Sequence, residues 1–253
     1  MEKILKFKNL DVHYKYFHGS KNLWNVLILH GRGGSSDSRV KVAEKLAEQG
    51  YDIYIPDLPG FGKTVMDKVY TVDEYSKLVE NFVAKLNIWP VILIGHSNGG
   101  RISIRMTKNK IIQTKKLFLI ASAGIKPKKT LKKIFFEKIA KIFKIFQKFP
   151  WYSFFRKIIY KLIWGHDYLG VKDDFTKQTF LNMIDSDQKD EISQIDLPTT
   201  LIWWDKDTYT PLQDWKLMHS LIKNSSLIVL KDYKHGIHLQ NPSLLFEKIT
   251  QNL

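Results

Sequence analysis

The 253-residue chain is long enough for one large hydrophobic core, and no Gly/Ser/Pro-rich linker divides it, so it reads as a single α/β domain carrying an insertion. It has no cysteine, which excludes disulfides, a cysteine nucleophile and thiolate-held metal or iron–sulfur centres. The net charge is +15, and between Lys126 and Lys161 stand twelve Lys or Arg against one acid, Glu137, so most of the excess sits in one segment.

In chain order, residues 4–18 read as an antiparallel hairpin at a sheet edge. Short apolar runs suited to buried strands follow at 25–30, 51–56, 91–95, 116–121, 199–204 and 226–231. Amphipathic helical patterns fall near 37–49, 72–87, 98–109, 211–222 and 242–252, the first two opening after the capping-type residues Asp37 and Thr71. Such alternation predicts a mostly parallel central sheet with helices on both faces. The first residues lack the apolar centre of a secretory signal, and no run of about 18 apolar residues could span a bilayer, so a soluble, cytoplasmic protein is expected.

Between the runs at 116–121 and 199–204 lie 77 residues, far more than an ordinary connection needs. Apolar side chains at 135, 139, 142, 146 and 149 interleave with Lys133, Glu137, Lys141, Lys144 and Lys148, a helix with one greasy and one basic face. Further helices are expected near 150–164 and 173–185. Residues 125–195 are therefore read as a helical cap over the sheet, and 1–124 with 196–253 as the core.

The run "VILIGHSNGG" at 91–100 carries the chemistry. Its "GHSNG", Gly95 to Gly99, fits the pattern G-x-S-x-G, in which glycines let a strand and a helix close around a strained serine, Ser97. The plainer alternative is a strand-to-helix turn with a capping serine. A serine hydroxyl becomes a useful nucleophile only with a base to take its proton, an acid to orient that base, and donors for the oxyanion. Candidate acids are Asp205 and Asp207, and the histidines to weigh as base are His30, His96, His235 and His238.

Together these segments resemble the α/β-hydrolase superfamily, its serine esterases and lipases with a helical cap, over nearly the whole chain. "LHGRGGSS" (29–36) resembles the oxyanion loop, "PDLPGFGKT" (56–64) the loop after the next core strand, "IWWDKDTYTP" (202–211) the acid loop and "KHGIHLQNP" (234–242) the histidine loop. The resemblance implies an α/β-hydrolase fold and a triad in the order Ser97, Asp207, His235. The acid's position four residues before Pro211 favours Asp207 over Asp205, and the base's position seven before Pro242 favours His235 over His238, which is then a wall residue. It further implies oxyanion donors in the backbone N–H groups of Arg32 and Asn98, and structural roles for His30 and His96. Trp204 stands where the family often has glycine.

The expected activity is cofactor-free and metal-free hydrolysis of carboxylic esters, with lactones and thioesters close behind, through an acyl-enzyme on Ser97. The alternatives are a carbon–carbon bond hydrolase, peptidase or haloperoxidase-like member of the same fold, or a membrane- or anion-binding module on a hydrolase scaffold. Phe135, Phe136, Phe143, Phe146 and Trp151 in the cap suggest a substrate with an apolar acyl or aromatic group, and the cap lysines a weak contact with anionic membranes. Trp203 and Trp204 read as core and pocket wall, and no nucleic-acid partner is expected. "GFGKT" at 60–64 lacks the first glycine of a phosphate-binding loop, since Asp57 falls there.

Overall fold

A computed structural model of the chain describes residues 1–21, 23–110, 112–126 and 174–253. The expected helices at 131–149 and 150–164, with the basic face of the cap, lie outside the described residues. Eight strands form one sheet: β1 (Glu2–Phe7), β2 (Leu10–Phe17), β3 (Asn25–Leu29), β4 (Asp52–Pro56), β5 (Val91–His96), β6 (Thr114–Ile120), β7 (Thr199–Trp204) and β8 (Ser225–Leu230). Their order is β1-β2-β4-β3-β5-β6-β7-β8. The β1–β2 hairpin joins β4 antiparallel at one edge, and every pairing from β4 to β8 is parallel.

All six residues of β5 are buried, because the strand lies mid-sheet between β3 and β6 with helices over both faces. Each of Leu93 and Ile94 contributes about 2–3 kcal/mol by leaving water. The parallel arrangement brings the C-terminal ends of β3, β5 and β7 to one rim of the sheet. That rim is where open α/β sheets bind ligands.

The helices begin and end for local reasons. Thr71 caps α2 (Val72–Leu86): its hydroxyl accepts from Glu74 N–H while Glu74 reaches back to the Thr71 N–H. Asp37 does not cap. It starts a 3-10 turn, Asp37–Arg39, ahead of α1 (Val40–Gln49), and its carboxylate is 2.8 Å from Lys15 Nζ instead. The charged hairpin offers Asp37 an ion pair across the fold, a partner that local sequence does not reveal.

Helix α3 (Asn98–Asn109) leads into β6, and beyond residue 126 the described chain resumes in α4 (Asp174–Asp185) and α5 (Lys189–Ser193). The return is fastened to the core: Tyr70 N–H donates to Thr179 Oγ1 at 2.8 Å, Gln188 Nε2 donates to the Arg101 carbonyl at 3.0 Å, and Arg105 forks onto both oxygens of Glu191 at 2.6 and 2.7 Å. Helices α6 (Leu212–Leu221), α7 (Ile237–Gln240) and α8 (Pro242–Thr250) complete the described chain. Among the described residues no helix is long and apolar enough to cross a membrane.

Candidate active site

Ser97 joins β5 to α3 at φ 53°, ψ −118°, on the positive-φ side that non-glycine residues rarely occupy. Holding it there costs about 1–3 kcal/mol, offset by the surrounding packing. A Cβ on Gly95 would lie 2.5 Å from Ser103 Oγ and 2.6 Å from Gly100 Cα, so strand and helix meet only through glycine. Gly31 does the same for the loop after β3, since its Cβ would come within 2.8 Å of both Ser97 Cβ and His96 Nδ1. The serine is thus pushed out at the rim with the "HGRGG" loop lying against it.

Arg32 and Asn98 line one cleft of about 390 Å3, part of it open to solvent. Asn98 is the first residue of α3, where a backbone N–H has no intrahelical acceptor. Leu58, Phe61, Met66, Phe180 and Met183 give the cleft apolar walls, the last two from α4, whose segment the sequence assigns to the cap. The Arg32 guanidinium lies over the Phe180 ring at 4.2 Å.

His235 Nδ1 lies 2.8 Å from Asp207 Oδ2. Asp207 is buried at the end of β7, and four donors converge on it. Oδ1 accepts from the N–H groups of Tyr209 at 2.8 Å and Thr210 at 3.0 Å, while Oδ2 accepts from Thr210 Oγ1 at 2.8 Å and from His235. Burial opposes its ionisation, but the hydrogen bond and charge of His235 and the Thr210 donors outweigh it and hold the carboxyl below its usual range. The indole of Trp203 donates to the Thr210 carbonyl at 2.9 Å and fastens this loop to the sheet. With Nδ1–H given to Asp207, His235 keeps a lone pair on Nε2. No hydrogen bond joins Ser97 Oγ to His235 in this conformation, although His96, next to Ser97, is 3.1 Å through Nε2 from the His235 carbonyl.

Comparisons with known proteins place the fold. The profile of the alpha/beta hydrolase fold matches residues 25–141, which include the "HGRGG" loop and the Ser97 turn. A hydrolase of Bacillus subtilis (strain 168), YugF, is 26% identical, with 95% of this chain and 93% of that protein covered. The esterase EaEST of Exiguobacterium antarcticum superposes with a TM-score of 0.77 over 99% of this chain and 98% of its own, at 19% identity. The chain has the α/β-hydrolase fold. Lipase 3 of Moraxella sp. (strain TA144) is 28% identical to this chain, with 83% of this chain and 71% of the lipase covered.

The other candidates named from the sequence lie elsewhere. Asp205 is exposed and accepts from the Asp232 N–H at 2.7 Å, away from the His235 ring. His238 is buried against His96, with ring centroids 4.8 Å apart. His30 and His96 hold loops. His30 Nδ1 donates to the Gly31 carbonyl at 2.8 Å and Nε2 accepts from Leu58 N–H at 3.0 Å, and burial drops its pKa to about 4. Arg39 Nη2 donates to His96 Nδ1 at 2.9 Å, which leaves the His96 proton on Nε2, facing the His235 carbonyl. Burial, then the Arg39 charge, hold His96 neutral. Trp204, where the family often has glycine, is buried and stacks on His96 with centroids 6.4 Å apart. Sequence reading missed Thr210, Trp203's link to the acid loop, and Arg39. A threonine three residues after the aspartate was the available signal for the first, but Arg39 carries none, since it joins His96 only through the fold.

Proposed function

We propose that this protein is an α/β hydrolase that cleaves carboxylic esters through an acyl-enzyme on Ser97. His235 Nε2 takes the Ser97 proton as Oγ attacks the acyl carbon, and returns it to the leaving alkoxide as the carbon–oxygen bond breaks. Water then repeats the cycle on the acyl-enzyme and releases the carboxylic acid. Asp207 orients the imidazole and stabilises the imidazolium, and the Arg32 and Asn98 N–H groups receive the oxyanion, a service worth about 3 kcal/mol per donor. The observation that carries the reading is the Asp207–His235 pair against the strained Ser97 turn. Hydroxyl and base in such sites often come into register only with substrate bound, so the open Ser97–His235 geometry is compatible with it.

The apolar cleft walls favour an acyl or aromatic group over a polar one, and the 28%-identical lipase points the same way. A fluorophosphonate probe tests the nucleophile. It should leave one adduct, mapped to Ser97, and Ser97→Ala should take none. Labelling at another residue, or none in a folded sample, overturns the reading. The basic run between Lys126 and Lys161 is proposed in addition to draw the protein weakly to anionic membrane surfaces.

A further inference from the structure

Behind the His235 loop, between strands β3, β5 and β6 and helices α1 and α8, is a cavity with room for one small ion or water-sized molecule. Its walls are aliphatic, Ile28, Ile94 and Leu245 among them, apart from Arg39, His96 and His238. Arg39 is 4% exposed. Its Nη2 is used on His96, while Nε and Nη1 are buried without an acceptor, and His238 Nδ1 is buried without a partner as well. Burial alone pulls the Arg39 pKa down, to about 9, with no acid acting to restore it. It therefore remains a cation at neutral pH.

An unpaired cation in an aliphatic chamber is costly, and proteins answer it with a counter-charge. A water molecule would accept from Arg39 but leave the charge standing. An oxyanion such as sulfate is too large for the space. A monatomic anion accepts from several converging N–H groups, needs no donor in return, and tolerates aliphatic neighbours when weakly hydrated.

We propose that this cavity is a built site for one halide ion, chloride in ordinary media, held by one of the two unpaired Arg39 donors, Nε or Nη1, and by His238 Nδ1. The ion would neutralise Arg39 and hold it against His96, whose Nε2 faces the His235 carbonyl, so the site braces the loop that carries His235 from behind. It requires nothing of the ester chemistry.

Two measurements on the whole protein test it. Crystals grown with bromide in place of chloride should show one anomalous peak in this cavity, in contact with Arg39 and His238. In solution, sodium chloride should raise the melting temperature by about 3 °C over sodium gluconate of equal ionic strength and pH, and Arg39→Met should lose that difference. Water alone in the cavity of the bromide crystals, no chloride-specific shift, or a shift of equal size in Arg39→Met overturns the site. Should Arg39→Met fail to fold, the bromide crystals of the unaltered protein still decide it.

Discussion

Replacing Asp207 by Asn changes a single atom, and the hydrogen bonds around that atom dictate the outcome. The amide oxygen must stay where Oδ1 accepts from the Tyr209 and Thr210 N–H groups, because the amide nitrogen cannot accept there. The NH2 group then takes the place of Oδ2, 2.8 Å from His235 Nδ1, and two donors face each other. The imidazole escapes by moving its proton to Nε2, the atom proposed to receive the Ser97 proton. The base is lost while the ring barely moves. A loss of about 10^3 to 10^4 in kcat is expected, the order known for such acid-to-amide changes, or about 4–5.5 kcal/mol in the barrier. Turnover of a p-nitrophenyl ester, with a melting curve to confirm folding, provides the measurement. Stability carries a second signature. A carboxyl held below its ordinary value of 3.8 stabilises the fold above that pH and loses the contribution as pH falls through the lowered value. The variant should therefore be less stable at pH 7, and the gap should start to close only below the ordinary carboxyl value and vanish once the pH has passed the lowered one. A loss under tenfold, or a larger loss in Asp205→Asn, would refute the reasoning.

His30 titrates in the opposite sense: the unfolded chain takes up its proton near pH 6.5 and the folded one only near 4, so stability falls between those values. Urea unfolding at pH 7 and pH 4 should differ by about 2–3 kcal/mol more in the natural protein than in His30→Gln; equal pH dependence would contradict the buried, neutral ring. Gly99→Ala pushes a methyl group onto the Leu29 carbonyl and to 2.7 Å from the His30 carbonyl, and should cost about 2–3 kcal/mol by chemical denaturation; an unchanged midpoint would mean that β3 and α3 do not pack this tightly. A series of p-nitrophenyl esters should show kcat/KM rising with acyl length until the cleft is filled, and a preference for acetate would contradict the apolar walls. Sedimentation with phosphatidylserine vesicles should detect binding at low salt that fades within about 0.15 M salt; equal binding to neutral vesicles would rule out the proposed role of the basic run.

The period of the apolar residues determined most of the scaffold. "VILIG", "TTLIWW" and "NVLIL" are too continuous and too short for anything but central strands, and they appear as β5, β7 and β3. The glycines around Ser97 announced a close strand–helix crossing, since no other residue leaves room for one. Thr71 and Glu74 form a capping box whose parts lie three residues apart, and such local bonds are readable from local sequence. Asp37 shows the limit. Its partner Lys15 is 22 residues away, and only the hairpin's place on the sheet brings them together. The choice between Asp207 and Asp205 followed from resemblance, but its physical cause is tertiary: the turn after β7 directs Asp207 inward to His235 and leaves Asp205 in solvent. Arg39, read simply as part of a helix, becomes a buried cation behind His96 because α1 packs across the strands there. Sequence alone could therefore identify which residues are equipped for chemistry, whereas the distances and charges that set their behaviour arise between segments far apart in the chain, which only folding brings into contact.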